Sequence, residues 1–138
     1  MPRGNAIAPP PRRVPGNVIF FPAAATYAVF VLPASVCSML GTIGGFPGIA
    51  TPAGHAHEML FGFALAVVAG NQLGPKTRSS LVLLMALWLI ARVAFLFFPG
   101  GALAMGANAG FPALLAWHLA PRLFGSAKKW RNQSYPPC

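Results

Sequence analysis

Four apolar stretches divide the chain. The first runs from Val18 to Leu40 and is interrupted by Thr26, Ser35, Ser38, Pro22 and Pro33. The others cover about 52–73, 79–98 and 101–121. Each is near 20 residues, which at the rise of an α-helix gives roughly 30 Å, the thickness of a bilayer's hydrocarbon core. Lipid offers no partner to backbone amides and carbonyls, so apolar stretches of this length form helices. The pattern predicts an all-α polytopic membrane protein, a bundle of four transmembrane helices within residues 18–124. Thr51 followed by Pro52 reads as the N-cap and first residue of the second helix.

The connectors give the bundle a direction. Residues 41–51 (GTIGGFPGIAT) and 99–101 (PGG) carry no charge, whereas the 74–78 connector holds Lys76 and Arg78. The head, residues 1–17, holds Arg3, Arg12 and Arg13, and Arg122, Lys128, Lys129 and Arg131 follow the fourth stretch. Cytoplasmic loops concentrate Lys and Arg. The head, the 74–78 loop and a basic tail at 125–138 are therefore expected in the cytoplasm, with both termini on that side. Five prolines and few apolar side chains predict an unstructured head. A cleaved secretory signal fits poorly, because the first apolar run is too long and no small-residue cleavage site ends it.

Composition changes the picture in two ways. Hydrophobic residues make up 56 % and charged residues 8 %, against roughly 25 % charged in soluble proteins. The net charge of +9 comes from ten Lys and Arg against a single acid, Glu58. Those cations lie in short pieces between apolar runs and not beside polar or aromatic partners on a soluble fold, which excludes nucleic acid as a partner and leaves the lipid bilayer. Cys37 and Cys138 fall near opposite membrane faces in this topology, so no disulfide joins them within one chain.

Ionisable groups inside membrane helices are rare and costly, and each is a functional candidate. Five stand out: His55, His57, Glu58, Arg92 and His118. On an α-helix His55 and Glu58 share a face and His57 points nearly the opposite way. One metal takes both histidines only if the helix start is unwound. Gly62, Ala66 and Gly70 continue the Glu58 face at four-residue spacing, which suits close packing on a neighbouring helix or a flat ligand such as a porphyrin. The run His57-Glu58-Met59-Leu60-Phe61 lacks the second histidine of H-E-x-x-H, so an intramembrane zinc protease is rejected. Glu58 and Arg92 come to similar depth on antiparallel helices, which predicts an ion pair. Arg92 is also a candidate for an anionic group such as a haem propionate. His118, beside Trp117 near the inner end of the fourth helix, reads as an interfacial histidine or as a separate ligand; helical rise puts it too far from His57 to share a metal. The chain has no Asp, no second carboxylate and no Gly-rich phosphate loop. Paired-carboxylate catalysis is excluded and no catalytic residue is assigned. A small transporter is disfavoured for want of a polar track at the midplane.

The run HAHEMLFGFALAVVAG (55–70), followed in order by LWLIARVAFL (87–96), LLAWHLAPR (114–122) and KKWRN (128–132), resembles the NnrS family of bacterial haem- and copper-containing membrane proteins linked to the nitric oxide response. The likeness covers about residues 18–132. It implies an inner-membrane protein binding haem, with copper as the second candidate. His55, His57 and His118 become metal-ligand candidates, and Glu58 and Arg92 become motif positions near the cofactor. It also implies protection against nitric oxide stress and no defined turnover reaction. Members of that family are usually much longer and have more helices, and a fifth helix is expected where this chain stops. The chain thus reads as a short paralogue, or as a truncated or frameshifted product whose bundle further membrane helices or a homo-oligomer would complete. The alternative reading is a non-catalytic membrane subunit or remnant whose polar residues only pack helices.

Overall fold

The computed structural model describes the backbone of residues 13–133; the head up to residue 12 and the end from residue 134, Cys138 included, lie outside the described residues. The architecture is all-α, with four helical rods in up-down order. Helix α1 is Asn17–Met39. Helix α2 covers residues 52–72 as three continuous segments: α-helical Pro52–His57, π-helical Glu58–Ala64 and α-helical Leu65–Gln72. Helix α3 is Arg78–Phe97 and helix α4 is Ala102–Gln133. A 3-10 turn, Pro47–Ile49, precedes α2. The Thr51 hydroxyl accepts the Gly54 amide at 3.0 Å, and Pro52 occupies the first turn, where its missing N–H costs nothing.

Two boundaries differ from expectation. The last residues of the expected unstructured head, Arg13 and Val14, form a short strand (β1). It pairs antiparallel with β2, Lys76–Thr77, in the register Arg13↔Thr77 and Val14↔Lys76. Their backbone groups find partners there, and Val14 packs on the core. Helix α4 runs on past Pro121 to Gln133, through much of the expected tail. Pro121 removes one backbone donor, but Arg122, Leu123, Ala127, Lys128 and Lys129 are strong helix formers and continue the rod.

The first and third helices are long and apolar enough to cross a membrane, with mean hydropathies of 1.8 and 2.4. A core helix of a soluble protein would be mostly buried. Here only 22 % and 33 % of these two stretches is buried, and Val29, Phe30, Val82 and Leu83 stand exposed. Helix α2 is interrupted by its π segment, and α4 ends in a basic, polar third.

The core lies where α1, α2, α3 and α4 meet, around Phe20, Leu81, Leu84, Trp88, Phe111 and Leu115. Phe20 and Phe111 stack at a tilt 6.2 Å apart, and Tyr27 meets Trp88 edge-on at 5.4 Å. The small-residue face of α2 is buried and packs on α1: Gly70 lies against the Phe21 ring and Gly62 against the Tyr27 ring. The basic connectors gather at one end of the rods, where β1 meets β2 and the Arg122 guanidinium donates to the Gln72 carbonyl. The uncharged connectors meet at the other end, where Phe46 contacts Phe97.

A Cβ at Gly62 would lie 2.5 Å from a Tyr27 ring carbon and 2.9 Å from a Glu58 carboxylate oxygen, whereas one at Gly106 would meet nothing within 4 Å. Gly62→Ala should therefore destabilise the protein by about 1–3 kcal/mol through overpacking. Gly106→Ala should stabilise it by up to about 1 kcal/mol through helix propensity. Thermal unfolding in detergent micelles checks both.

Candidate functional site

One buried carboxylate organises the centre of the molecule. Glu58 is 0 % exposed and opens the π segment of α2. The Arg92 Nη1 from α3 lies 3.0 Å from both of its oxygens, so the expected ion pair forms, with Arg92 itself 3 % exposed. The Tyr27 hydroxyl from α1 donates to the same carboxylate. Arg92 Nη2 donates to the Asn108 side-chain oxygen on α4, and the Asn108 amide nitrogen returns a bond of 2.8 Å to the Ala104 carbonyl. The network thus takes one side chain from each helix. Among the described residues, Arg92 Nε alone is a buried side-chain donor without a partner. Trp88 supports the arrangement by donating to the Gly62 carbonyl at 3.1 Å.

The π segment begins at Glu58, directly after the α-helical turn that carries both histidines. Its last bond runs from the Leu65 amide to the Leu60 carbonyl, five residues back. The wider turn shifts the phase of the residues beyond Glu58, and π turns recur at functional sites. The α-helical expectation paired His55 with Glu58 and set His57 apart. The His57 side chain reaches its neighbour in sequence, donating from Nδ1 to Glu58 at 3.2 Å, and its ring stacks on Phe61 (4.7 Å) and on Phe95 of α3 (3.8 Å). His55 turns to α1. The Ser35 hydroxyl donates to the Leu32 carbonyl at 2.6 Å and so accepts from His55 Nδ1 at 2.5 Å.

These bonds bear on metal ligation. Each imidazole has its Nδ1 proton committed to a protein oxygen, which leaves the Nε2 lone pair without a protein partner among the described residues. A hydrogen-bonded Nδ1 is how ligating histidines are commonly oriented. The residues fit single-point ligation of a haem iron or a copper ion by either imidazole. They do not form a shared cage, because the two rings are held by different helices and no three His, Cys, Asp or Glu side chains converge among the described residues. Both terminal nitrogens of Arg92 are engaged within the protein.

His118 stands apart. Its Nδ1 donates to the Leu114 carbonyl at 2.8 Å, and it lines a pocket with Lys76 and Ser80 near the start of α3. Phe95, which holds His57, is fifteen residues beyond Ser80 on the same helix, about 22 Å by helical rise. Cys37 is an exposed free thiol on α1. An open apolar groove of about 670 Å³ between α3 and α4 has no histidine in its lining.

Tyr27, Ser35 and Asn108 were not among the sequence candidates. Asn108 carried a usable signal, since it is the one amide inside the fourth apolar stretch. Tyr27 carried none, because a tyrosine in an apolar run reads as packing.

Fold and site together define a helical protein with membrane-competent helices and a charge network buried at its centre, flanked by two oriented imidazoles. Residues 18–138 match the family model described as NnrS protein, and the chain belongs to the NnrS family. Comparison with curated proteins and with solved structures gives no match.

Arg92→Ala would leave the Glu58 carboxylate buried without its cation, and should cost roughly 3–5 kcal/mol. The double change Glu58→Gln, Arg92→Met removes both charges and should cost clearly less than Arg92→Ala alone. Unfolding of the two variants in mixed micelles checks the order; equal losses would show that the pair is not what holds the helices.

Proposed function

We propose that this NnrS-family chain is a multi-pass inner-membrane protein that binds haem, or copper, near its outer face and takes part in the response to nitric oxide. Family membership supports the link to nitric oxide. The observation that carries the cofactor reading is the pair of imidazoles whose Nδ1 protons are committed, to Ser35 and to Glu58, with Nε2 left for an incoming ligand. A bound haem would supply iron as the centre for a diatomic ligand. The chain's own part is to hold the imidazoles at the uncharged end of the bundle and to keep Glu58 and Arg92 paired beside them. All four rods cross the bilayer in this reading, with the Lys76 and Arg122 end in the cytoplasm, as the segregation of charge favours.

The protein purified in detergent and incubated with haem should show a Soret band that His55→Ala or His57→Ala weakens. A colourless, copper-free protein after reconstitution with both cofactors sinks the cofactor reading. The chain should also resist alkaline extraction from membranes, and cysteines placed at Ile43 and Gly100 in a Cys37→Ser background should react with an impermeant maleimide added to intact spheroplasts. Labelling of neither position would reject the four-crossing topology.

A second reading has its own observation. The Tyr27–Glu58–Arg92–Asn108 network is satisfied almost entirely within the protein, as a purely structural helix lock would be. Under it Glu58→Ala lowers stability and no cofactor is lost.

A further inference from the structure

The end of the molecule opposite the histidine pair holds a polar pocket that neither the charge network nor the cofactor reading uses. Its volume is about 290 Å³, and Arg13, Lys76, Thr77, Ser80 and His118 line it. Three separate pieces of chain build it. The two-residue ribbon fixes Arg13 opposite Thr77 and places Lys76 beside it, α3 contributes Ser80, and α4 contributes His118. The Thr77 and Ser80 hydroxyls are bonded to each other at 2.9 Å, which uses one of their two protons and leaves the other for a ligand.

No side chain of this protein can neutralise the pocket's cations. The chain has one acid, and that acid is buried against Arg92. Arg13 and Lys76 therefore lie at the same concave site without a side-chain carboxylate to pair with. Such a site is suited to a phosphate, which offers several acceptor oxygens to cations and hydroxyls at once.

Position selects the source of the phosphate. The pocket lies where α1 and α3, the two helices long and apolar enough to cross a membrane, both have their first turns. Just beyond it along these helices, Val18, Val82 and Leu83 are 60 %, 55 % and 57 % exposed. Cations at the entry of helices whose first turns carry exposed aliphatic side chains match a lipid headgroup continuing into its acyl chains, and basic pockets between membrane helices bind anionic headgroups. We infer that this pocket is a site for the phosphodiester of an anionic phospholipid. The inference rests on the reading that α1 and α3 cross the bilayer, and is independent of any cofactor.

The test uses the full chain solubilised from washed membranes, so that failure to enter the membrane is seen first and counts against the spanning reading alone. Native mass spectrometry then compares retention of phosphatidylglycerol and phosphatidylcholine. Phosphatidylglycerol should be the better retained, and Arg13→Gln or Lys76→Gln should each weaken it about fivefold, as expected for one cation at a headgroup. Arg78→Gln removes an exposed charge outside the pocket and should leave retention unchanged. Circular dichroism confirms that the variants fold; if Lys76→Gln does not, the exposed Arg13 carries the test. Equal retention of both lipids, or an equal loss in Arg78→Gln, overturns the site. Displacement of phosphatidylglycerol by inorganic phosphate alone overturns the lipid assignment.

Discussion

A single carboxylate at zero exposure sets the terms for the whole bundle. An ionised group taken out of water costs several kcal/mol even after relaxation, and only close counter-charge and hydrogen bonds offset it. Glu58 receives them from Tyr27 on α1 and Arg92 on α3, and Arg92 in turn needs Asn108 on α4. Every rod is thereby tied to one point. Apolar packing alone gives membrane helices little reason to prefer one rotation over another, since lipid is as apolar as their neighbours. The carboxylate supplies that preference, and the small face of α2, with Gly62 and Gly70 against the aromatic side chains of α1, lets the helices come close enough to satisfy it.

The neighbouring histidines are a different kind of group. The charge network closes on itself, with Arg92 Nε its one loose donor among the described residues. The imidazoles are oriented by the protein but not saturated by it: Ser35 and Glu58 take one nitrogen each. In the proposed reading, stability and ligand chemistry are thus divided between adjacent residues of one short run. Glu58 joins them, because the atom that accepts from Arg92 also accepts from His57.

Much of this was legible in the sequence. Hydropathy located four helices, the alternation of charged and uncharged connectors matched the two ends of the molecule, and the lone acid pointed to the lone arginine inside a membrane-length stretch. Thr51-Pro52 marked the start of α2 because capping is a local interaction. What was not legible depends on nonlocal contacts. The pairing of Arg13–Val14 with Lys76–Thr77 requires two polar segments to meet across sixty residues of chain, and neither has the alternation that marks a strand. Helix α4 continues through Pro121 because good helix formers follow it, whereas a proline near a basic segment reads as a stop. Tyr27 and Ser35 look like packing until their partners are known.

The π segment of α2 has a consequence for how this stretch tolerates change. A helix carries its side chains round by about 100° per residue, so an added or lost residue rotates everything beyond it by that angle. The widened turns of Glu58–Ala64 act as a phase adjuster between the stretch that presents His55 and His57 and the stretch that presents Ala66 and Gly70 to α1. A wide turn of this kind takes up one more residue than an α-turn over the same rise. Removing a residue from 58–64 would let the stretch close to α geometry, but at the loss of Glu58, Gly62 or one of the apolar side chains around them. The length of this segment and the identity of its residues are therefore constrained together.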